Sequence, residues 1–558
     1  MEKFAHLRHL EITNQCELVV QLNMVFQDIH IDEEIHSVRN IEDTLGSLRT
    51  HTRNKLIKII TDKSAETKDQ SEISTYNIPI LFKRKLKHSK VLSDDISLKT
   101  LLLEDLGKTV VVIFDQEFKL LVNPPLIKSI NLPSILYATF SVQPLKFYGL
   151  FTDKSSSEFS WFRSKDKITW EKVGSAYDYP ISEDDLGYYL KVVCIPVSQK
   201  KIRGSPVEII SPRPVQKFPE LPRCPFEVRH EYTKDLLQTK DFRFVTYNIL
   251  SNRYTELNDT FSYCPLEALA IDYRKQLILK ELVGYNADII CLQEVDNREF
   301  NTYFNTKLAD EGYISKYHRK GNNLTEGLLC AMKKSRYKLL SYQQLVYANA
   351  IHTKKMFAPL YSLLKKEQSL KNLFMKQSTS LQTTVLKCKE VKRIVVIGNT
   401  HLYYHPDATT VRLIQAYMAT MYLSYVKERM EQEWKNFVVD VIFCGDFNSS
   451  PGGLVYKFLC EGTIPRDDEF HLYFSGNAQW NFTHKLNFIS ACGTPKYTNY
   501  TNDFKSCLDY IFIQRGEIEV KRVIPLPEEE LEKYVGLPNE VYPSDHIALV
   551  CDLQFKQN

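Results

Sequence analysis

The sequence has no apolar run long enough for a transmembrane helix, which needs about 18 consecutive apolar residues. Its 12 cysteines are scattered, with no Cys-x-x-Cys pair and no histidine cluster beside them. This spacing argues against a zinc site and indicates reduced thiols in an intracellular compartment. The N-terminal stretch MEKFAHLRHLEITNQCELVVQL lacks both a secretory apolar core and the arginines typical of a transit peptide. We therefore expect no membrane partner.

Several common catalytic and nucleotide-binding motifs are also missing. There is no nucleophile elbow, no GxxxxGK[ST] loop and no GxGxxG fingerprint. A net charge of +4 is small for 558 residues, so it permits a polyanionic substrate in a local groove without indicating nucleic acid by itself. The length predicts two or three domains, and 43% hydrophobic and 25% charged residues are typical of a folded protein.

A cluster of prolines between residues 212 and 225 divides the chain. Because proline removes a backbone donor and fixes φ, this stretch favours an extended connector, which we place at residues 214–240. Residues 241–558 then form the second half of the molecule. The pattern of apolar residues differs on the two sides of this connector.

The first half is predicted to be β-rich. Residues 1–130 read as a mixed, β-rich region, and residues 131–213 as an immunoglobulin-like β-sandwich. The second prediction rests on Trp161, on Trp170 and on an Asp-x-Gly-x-Tyr phrase that ends at Tyr189, among short alternating strands. This region could hold RNA or could only stabilise the rest of the chain, and the residues do not decide between these roles.

The second half alternates strand-like and helical patterns, which is typical of a layered α/β domain with covered sheet faces. Six apolar runs read as strands: FRFVTYNIL, ADIICLQEVD, RIVVIGNTHL, FVVDVIFCGDFN, CLDYIFI and HIALVCDLQF. A helix is predicted after Asp407, its expected N-cap. Its core face is predicted to consist of Val411, Ile414, Met418, Met421 and Tyr425.

Side chains that can bind a metal or a phosphate stand at the ends of these strands. The residues are Asn248, Glu294, His401, Asp446, Asn448, Asp509, Asp545 and His546. Polar groups at strand ends of an α/β sheet converge on one rim. Taken singly, each has an ordinary explanation as a turn residue, a buried cap or a satisfied histidine. The whole set favours a functional site.

The residue types indicate the chemistry. Carboxylates and carboxamides without cysteine form a hard oxygen site, which suits Mg²⁺ or Mn²⁺ rather than zinc. Such an ion together with substrate phosphate oxygens is typical of phosphoryl transfer. Histidine and asparagine add donors for the non-bridging oxygens. A further carboxylate can orient the attacking water.

The ordered motifs TYNIL, LQEVD, GNTHL, GDFNSSPGG, LDYIF and SDHIAL resemble the exonuclease–endonuclease–phosphatase superfamily over about residues 241–555. NTHLYYHP and TNYTNDFKSCLDYIFI narrow the resemblance to its deadenylase-like branch. The resemblance implies a four-layer α/β sandwich, with two packed sheets flanked by helices. It also implies Mg²⁺-dependent hydrolysis of 2′,5′-oligoadenylate and of the 3′,5′-poly(A) tails of RNA to 5′-AMP.

The resemblance also implies a role for each site residue. Metal ligands would be Glu294, the principal one, with Asn248, Asp545, Asp446 and Asn448. Catalytic groups would be Asp446, which activates water, His401, which stabilises the pentacovalent phosphorus, and Asp509, which orients His546. Substrate contacts would be Asn448 at the phosphate, and Phe504 and Pro406 on either side of the terminal base.

Two alternatives remain open from the sequence. The same fold could act on another phosphodiester or phosphomonoester, such as apurinic DNA, an inositol phosphate or a nucleotide cofactor. The chain could also be a non-catalytic RNA-binding module. No obligate protein partner is evident. The resemblance implies the mitochondrial matrix, and the cytoplasm is the alternative location.

Overall fold

The computed structural model describes residues 3–11, 13–26, 29–65, 78–85, 90–104, 108–257, 259–321, 324–464 and 482–556. The chain forms two compact units, Met1–Gln216 and Lys217–Asn558, so the division falls inside the stretch predicted as a connector. The domain limits given above stay predictions. All 12 cysteines are free. None of the helices in the described ranges is long and apolar enough to cross a membrane.

Unit 1 begins with a seven-stranded sheet. Its strands are β1 (Phe4–Leu10), β2 (Gln15–Phe26), β3 (Ile29–Asn40), β4 (Ile80–Arg84), β5 (Lys90–Val91), β6 (Thr109–Ile113) and β7 (Gln116–Val122). They follow the order β3-β2-β1-β7-β6-β4-β5, and β1 and β7 are parallel. Helices α1 (Leu45–Ala65) and α2 (Leu98–Glu104) add Leu48, Leu56 and Leu101 to the core of this sheet.

The second part of unit 1 is a small sandwich of short strands. They are β8 (Leu126–Asn131), β9 (Ser141–Val142), β10 (Leu145–Leu150), β11 (Glu158–Ser164), β12 (Glu171–Gly174), β13 (Tyr179–Pro180), β14 (Tyr189–Ile195) and β15 (Val207–Ile210). Four pair in the order β12-β11-β14-β15. Trp161 is buried in the shared core, as alternate residues of a strand face one side. The Tyr179 hydroxyl donates to buried Asp185, the first residue of the Asp-x-Gly-x-Tyr phrase, at 2.8 Å.

The last part of the proline-rich stretch is not an extended linker. A short helix, α3 (Glu227–His230), follows the prolines. Its Arg229 is buried and donates to the carbonyl oxygens of Pro525 (3.0 Å) and Ala548 (2.8 Å) and to the Tyr285 hydroxyl (2.6 Å). These contacts tie the segment into unit 2.

Unit 2 contains two six-stranded sheets. The first is built from β16 (Asp241–Asn248), β17 (Ile289–Asp296), β18 (Tyr313–Arg319), β19 (Glu326–Lys333), β28 (Ile518–Val523) and β29 (Leu549–Phe555), in the order β18-β19-β17-β16-β29-β28. The second is built from β20 (Tyr337–Val346), β21 (Ser380–Cys388), β22 (Arg393–His401), β23 (Val438–Asp446), β24 (Phe488–Ser490) and β27 (Asp509–Gln514), in the order β20-β21-β22-β23-β27-β24. A separate hairpin pairs β25 (Asn499–Tyr500) with β26 (Lys505–Ser506).

The two sheets pack face to face, and helices cover their outer faces. In β16, Phe242 and Phe244 enter the core between the sheets, whereas Val245 and Tyr247 face the helices. Both faces of each central strand are therefore buried, which explains the continuous apolar runs of the sequence. The helices of this unit are α4 (Asn252–Leu257), α5 (Leu266–Leu269), α6 (Ile271–Gly284), α7 (Asn297–Glu299), α8 (Asn305–Asp310), α9 (Tyr347–Thr353), α10 (Ala358–Leu364), α11 (Gln368–Met375), α12 (Thr409–Glu433), α13 (Leu454–Glu461) and α14 (Glu528–Leu531). The predicted fold class, a four-layer α/β sandwich behind a β-rich region with an immunoglobulin-like sandwich, is confirmed.

Helix α12 differs from its prediction in two details. Its N-cap is Ala408 and not Asp407, whose backbone N–H donates to His405 Nδ1 at 3.3 Å. Tyr425 is 44% exposed, because the buried stripe continues through Tyr422 and Val426 instead. The other residues predicted for the core face do pack there: Val411, Ile414 and Met418 fully and Met421 in part.

Candidate active site

Parallel strand pairs bring the first polar residues to one edge of the sandwich. β16 and β17 are parallel neighbours, so Asn248 and Glu294 lie at the same end of their sheet. β22 and β23 are parallel in the other sheet, and His401 pairs in register with Asp446. Gly445 permits this close approach, because a Cβ there would lie 1.9 Å from the Thr400 carbonyl oxygen.

Antiparallel neighbours bring the remaining residues to the same edge. β27 runs antiparallel to β23 and begins at Asp509, which pairs in register with Asp446. β29 runs antiparallel to β16, so the loop before it, with Asp545 and His546, meets the end of β16. Strand ends from both sheets thus lie together at this edge. Apart from half-buried Asn448 and Asp545, its polar residues are buried.

The side-chain amide of Asn248 joins the two sheets at the centre of this edge. Its Nδ2 donates to Glu294 Oε1 and to Asp446 Oδ2, both at 3.1 Å. Its Oδ1 accepts the backbone N–H of Leu250 at 3.1 Å, which fixes the orientation of the amide. Glu294 of one sheet and Asp446 of the other therefore accept hydrogen bonds from the same amide nitrogen.

Glu294 is held in an unusual conformation among other acids. Its φ of +57° is in the left-handed region, a strain of about 1–3 kcal/mol that is typical of functional sites. Burial raises the pKa of Glu294 to about 8, with repulsion from Glu326 and Asp545 adding to the effect and Lys320 opposing it. The backbone N–H of Ser251 donates to its Oε2 at 2.9 Å. Glu294 and Asp545, which the sequence places far apart, are electrostatic neighbours.

Asp446 lies among groups of both charges. Burial and repulsion from Asp509 raise the pKa of Asp446 to about 6, whereas His546 and hydrogen bonds from Asn448 and Asn248 act in the opposite direction. The Asn448 backbone N–H donates to Asp446 Oδ1 at 2.9 Å. The Asn448 side chain donates to the Leu402 carbonyl oxygen at 3.0 Å, so it braces the loop that follows His401.

His546 has carboxylate neighbours. Its Nδ1 lies 2.7 Å from Asp509 Oδ2, and its Nε2 lies 3.6 Å from Asp446 Oδ2. Burial opposes protonation of this ring, but Asp509, Asp545 and Asp446 together raise the pKa of His546 well above its ordinary value. These carboxylates therefore favour the imidazolium form of the ring.

His401 has the opposite environment. Its Nδ1 accepts a hydrogen bond from the Lys320 ammonium at 2.8 Å, and its Nε2 lies 3.6 Å from Asp446 Oδ2. Burial, with repulsion from Lys320 and His546, lowers the pKa of His401 well below its ordinary value. The two histidines thus differ in charge, and both face Asp446.

Asp545 borders the site from the loop before β29. The Asn499 side chain donates to its Oδ2 at 3.2 Å. Burial raises the pKa of Asp545, and the His546 charge opposes that effect. The neighbouring Ser544 hydroxyl donates to the Asn248 carbonyl oxygen at 2.7 Å and so locks this loop against β16.

The donor set fits a divalent metal ion. Two groups of three side chains have ligand atoms close enough to share an ion: Glu294, Glu326 and His401, and Asp446, Asp509 and His546. Within the described part of the chain, Asp509 Oδ1 and Glu326 Oε2 are buried without a hydrogen-bond partner. Buried carboxylates that repel one another are stabilised by a cation bound between them, and oxygen ligands without thiolate suit a hard ion.

The residues predicted to lie on either side of the terminal base are on exposed loops. Phe504 is 52% exposed in the turn between β25 and β26, where its N–H donates to Thr501 Oγ1 at 3.1 Å. Pro406 is exposed in the loop after His401. Arg412, at the start of α12, holds that loop by donating to the carbonyl oxygen of Pro406 at 2.9 Å.

Some buried residues around the site were not predicted from the sequence. Lys320 and Glu326 form an ion pair at 3.4 Å beside His401. Arg274 donates to the carbonyl oxygens of Leu250 (2.8 Å) and Pro543 (3.1 Å), so it joins two loops that carry site residues. Glu326 opens the apolar run EGLLCAM, the same signal that identified Asp509. Lys320 and Arg274 have no such local signal, because only the tertiary fold gives them their partners.

The chain is similar to known proteins along both units. Residues 245–546 match the Endonuclease/Exonuclease/phosphatase family, and residues 150–211 match the AIR9 A9 domain. The Homo sapiens protein 2′,5′-phosphodiesterase 12 is 36% identical over 475 residues, which cover 80% of this chain and 76% of the relative. The CCR4-Not complex 3′-5′-exoribonuclease subunit Ccr4 of Schizosaccharomyces pombe is 30% identical over 350 residues, which cover 57% and 49%. A crystal structure of ANGEL2, a 2′,3′-cyclic phosphatase, is 23% identical and covers 58% of this chain and 98% of that one, with a TM-score of 0.48.

Proposed function

This chain belongs to the endonuclease/exonuclease/phosphatase family, and from that premise we propose that it is a Mg²⁺-dependent 3′-exoribonuclease acting on oligoadenylate. Membership makes it a hydrolase, of the phosphodiesterase and exonuclease kind. The proposed substrates are 2′,5′-oligoadenylate and the 3′,5′-poly(A) tails of RNA, and the proposed product is 5′-AMP. The names of the 2′,5′-phosphodiesterase and 3′-5′-exoribonuclease relatives support both linkages.

One observation carries the proposal. The Asn248 amide joins Glu294 to Asp446, and a ring nitrogen of His401 and one of His546 each lie 3.6 Å from Asp446 Oδ2. Hydrolysis of a phosphodiester needs a base for water and donors for the non-bridging oxygens. These groups are gathered here around one carboxylate oxygen.

A metal ion would be held by the carboxylates of Glu294, Asp545 and Asp446 and by the side-chain oxygens of Asn248 and Asn448. For Asn248 this requires the amide to turn over, because its Nδ2 faces Glu294 and Asp446 in the structure. Such an ion neutralises charge on the phosphate and stabilises the leaving oxygen when it is bound. Hard oxygen ligands favour Mg²⁺, with Mn²⁺ as the alternative. Glu294 is the principal ligand in this proposal.

The side chains have distinct roles in the proposed reaction. With a pKa of about 6, Asp446 is mostly ionised at neutral pH and can accept the proton of the attacking water. The His546 imidazolium, oriented by Asp509, donates to a non-bridging oxygen. His401 donates to the same phosphate, and Asn448 contacts it from the loop after β23.

The terminal base is proposed to stack between Phe504 and Pro406, both of which are exposed. Stacking on an aromatic ring contributes about 1–3 kcal/mol per base and accepts every base. A preference for adenine therefore requires additional contacts in the same pocket.

Product analysis tests this proposal. We expect the full chain with Mg²⁺ to release 5′-AMP from 2′,5′-linked and 3′,5′-linked oligoadenylate, and not to cleave apurinic DNA or an inositol phosphate. Glu294→Gln and Asp446→Asn should each lower turnover by at least about 100-fold without unfolding the protein. Glu311→Gln, at an exposed carboxylate, is the matched control. Absence of AMP from both oligomers would refute the proposal.

Metal removal provides an independent check. We expect an excess of chelator to abolish AMP release and Mg²⁺ or Mn²⁺ to restore it, because no side chain can replace the ion between these carboxylates. Activity that persists after exhaustive chelation would contradict the assigned metal site.

We propose the mitochondrial matrix as the location, with the cytoplasm as the alternative. This proposal rests only on the resemblance of the sequence to a 2′,5′-phosphodiesterase. Imaging of the protein with an intact N-terminus and a C-terminal tag tests it, since a purely cytoplasmic signal would exclude the matrix.

A further inference from the structure

Lys320 is a buried cation beside the active site. It lies between β18 and β19, and its side chain is 5% exposed. Its Nζ is 2.8 Å from His401 Nδ1 and 3.4 Å from Glu326 Oε1. The Tyr254 hydroxyl donates to the same oxygen of Glu326 at 3.0 Å. A carboxylate and an imidazole are thus the polar partners of this ammonium group among the described residues.

The direction of these hydrogen bonds restricts His401. An ammonium group can only donate, so Nδ1 of His401 must accept. A neutral imidazole carries one ring proton, which is then confined to Nε2. That nitrogen faces Asp446, at 3.6 Å from its Oδ2.

We propose that Lys320 is a positioning residue that fixes His401 in the tautomer protonated at Nε2, so that this N–H points to the reacting phosphate. The hydrogen bonds carry the tautomer assignment, and only the identity of the phosphate rests on the function proposed above. With its ring inverted or its proton on Nδ1, His401 would present a lone pair to a negatively charged group and would repel it.

The comparison with His546 supports this role. Each histidine has a charged partner at its Nδ1. The partner is Asp509 for His546 and Lys320 for His401. A carboxylate there favours an imidazolium, and an ammonium group favours a neutral ring with a fixed proton. The ammonium also places a positive charge between His401 and Glu326.

The tautomer can be observed directly in the metal-free, substrate-free full chain. Protonated and unprotonated ring nitrogens differ strongly in ¹⁵N chemical shift, and the loss of one signal in His401→Gln identifies this residue. In the wild-type protein we expect the proton on Nε2. Lys320→Met should move it wholly or partly to Nδ1, whereas Lys320→Arg, which keeps a cationic donor, should not. Lys316→Met, on the preceding strand β18, is the matched control and should leave the signal unchanged.

Lys320→Met leaves the Glu326 charge buried without its partner, and this could unfold the protein. The double variant Lys320→Met/Glu326→Gln removes both charges and keeps the test decisive. Its tautomer should shift as in the single variant. Its kcat for oligoadenylate should fall about 100-fold, with KM changed by less than about threefold, because the lost interaction acts on the transition state.

Two outcomes would overturn the proposal: an unchanged tautomer in the folded double variant, or a loss of activity confined to KM. A shifted tautomer in a protein that cleaves no oligoadenylate would refute the proposed function and leave the role of Lys320 intact. The two proposals can therefore fail separately.

Discussion

At the scale of single residues, the charge of His546 depends on the carboxylate of Asp509 at its Nδ1. Burial opposes the charged ring, but Asp509 and the two other aspartates raise the pKa of His546 well above its ordinary value. With the folded-state pKa raised, the stabilisation is fully present below the unfolded pKa of about 6.5 and is lost as pH rises through the folded value. The aspartates consequently extend the pH range of the imidazolium above that of a free histidine.

Asp509→Asn should lower the pKa of His546. We expect the alkaline limb of the kcat profile to move to lower pH and kcat at neutral pH to fall by about 100-fold, because the ring loses its charge. A pH–rate profile measures both effects. Asp310→Asn, at an exposed aspartate, should reproduce the wild-type profile. An alkaline limb at its wild-type position in Asp509→Asn would contradict the assigned role.

At the scale of elements, the β25–β26 hairpin, whose turn carries Phe504, lies beside the loop that contains His546. Asn499 of this hairpin forms a β-bridge with His546, so the turn is held against the site although Phe504 itself is exposed. The loop after His401 is fixed in a comparable way by Arg412. Both loops are therefore positioned before a substrate arrives.

Phe504→Ala should weaken oligoadenylate binding without disturbing the hairpin. The loss of about 1–3 kcal/mol of stacking corresponds to a rise in KM of about 5- to 150-fold. Cleavage of a small phosphodiester without a purine should be unchanged, and Phe504→Tyr should retain oligoadenylate binding. An equal loss on both substrates would show that the ring only packs the loop.

Strands were predicted well where a long apolar run dominates the local sequence. A run such as FVVDVIFCGDFN must be a buried strand, and parallel neighbours then bring Asp446 and His401 to one edge. Asp407 and Tyr425 were misassigned because the start of α12 and its buried stripe depend on the loop and sheet against which the helix packs. The role of Lys320 could not be predicted, because its partner His401 is distant in sequence and is brought beside it only by the tertiary fold.

At the scale of the whole molecule, the proline-rich stretch is only partly a connector. Buried Arg229, which follows the prolines, lies 3.7 Å from the buried carboxylate of Glu281 and bonds the Tyr285 hydroxyl. The prolines correctly exclude a helix across their own span, but nothing local indicates that the next turn belongs to the catalytic unit.

Arg229→Met should destabilise unit 2 by about 3–5 kcal/mol, because it leaves the Glu281 carboxylate buried without a cation. Denaturant unfolding monitored by loss of activity measures the change. Arg223→Met removes an exposed arginine of the same segment and should have an effect below about 0.5 kcal/mol. Equal stability of the two variants would mean that the segment is a passive linker.

The Asn248 amide bridges two sheets, and each sheet carries only some of the residues proposed to be catalytic. Glu294 and His546 come with one half, and His401 and Asp446 with the other. The strand that follows His546, β29, inserts between β16 and β28 rather than at a margin. The residues of this edge therefore come together only once β29 has paired with both of these strands.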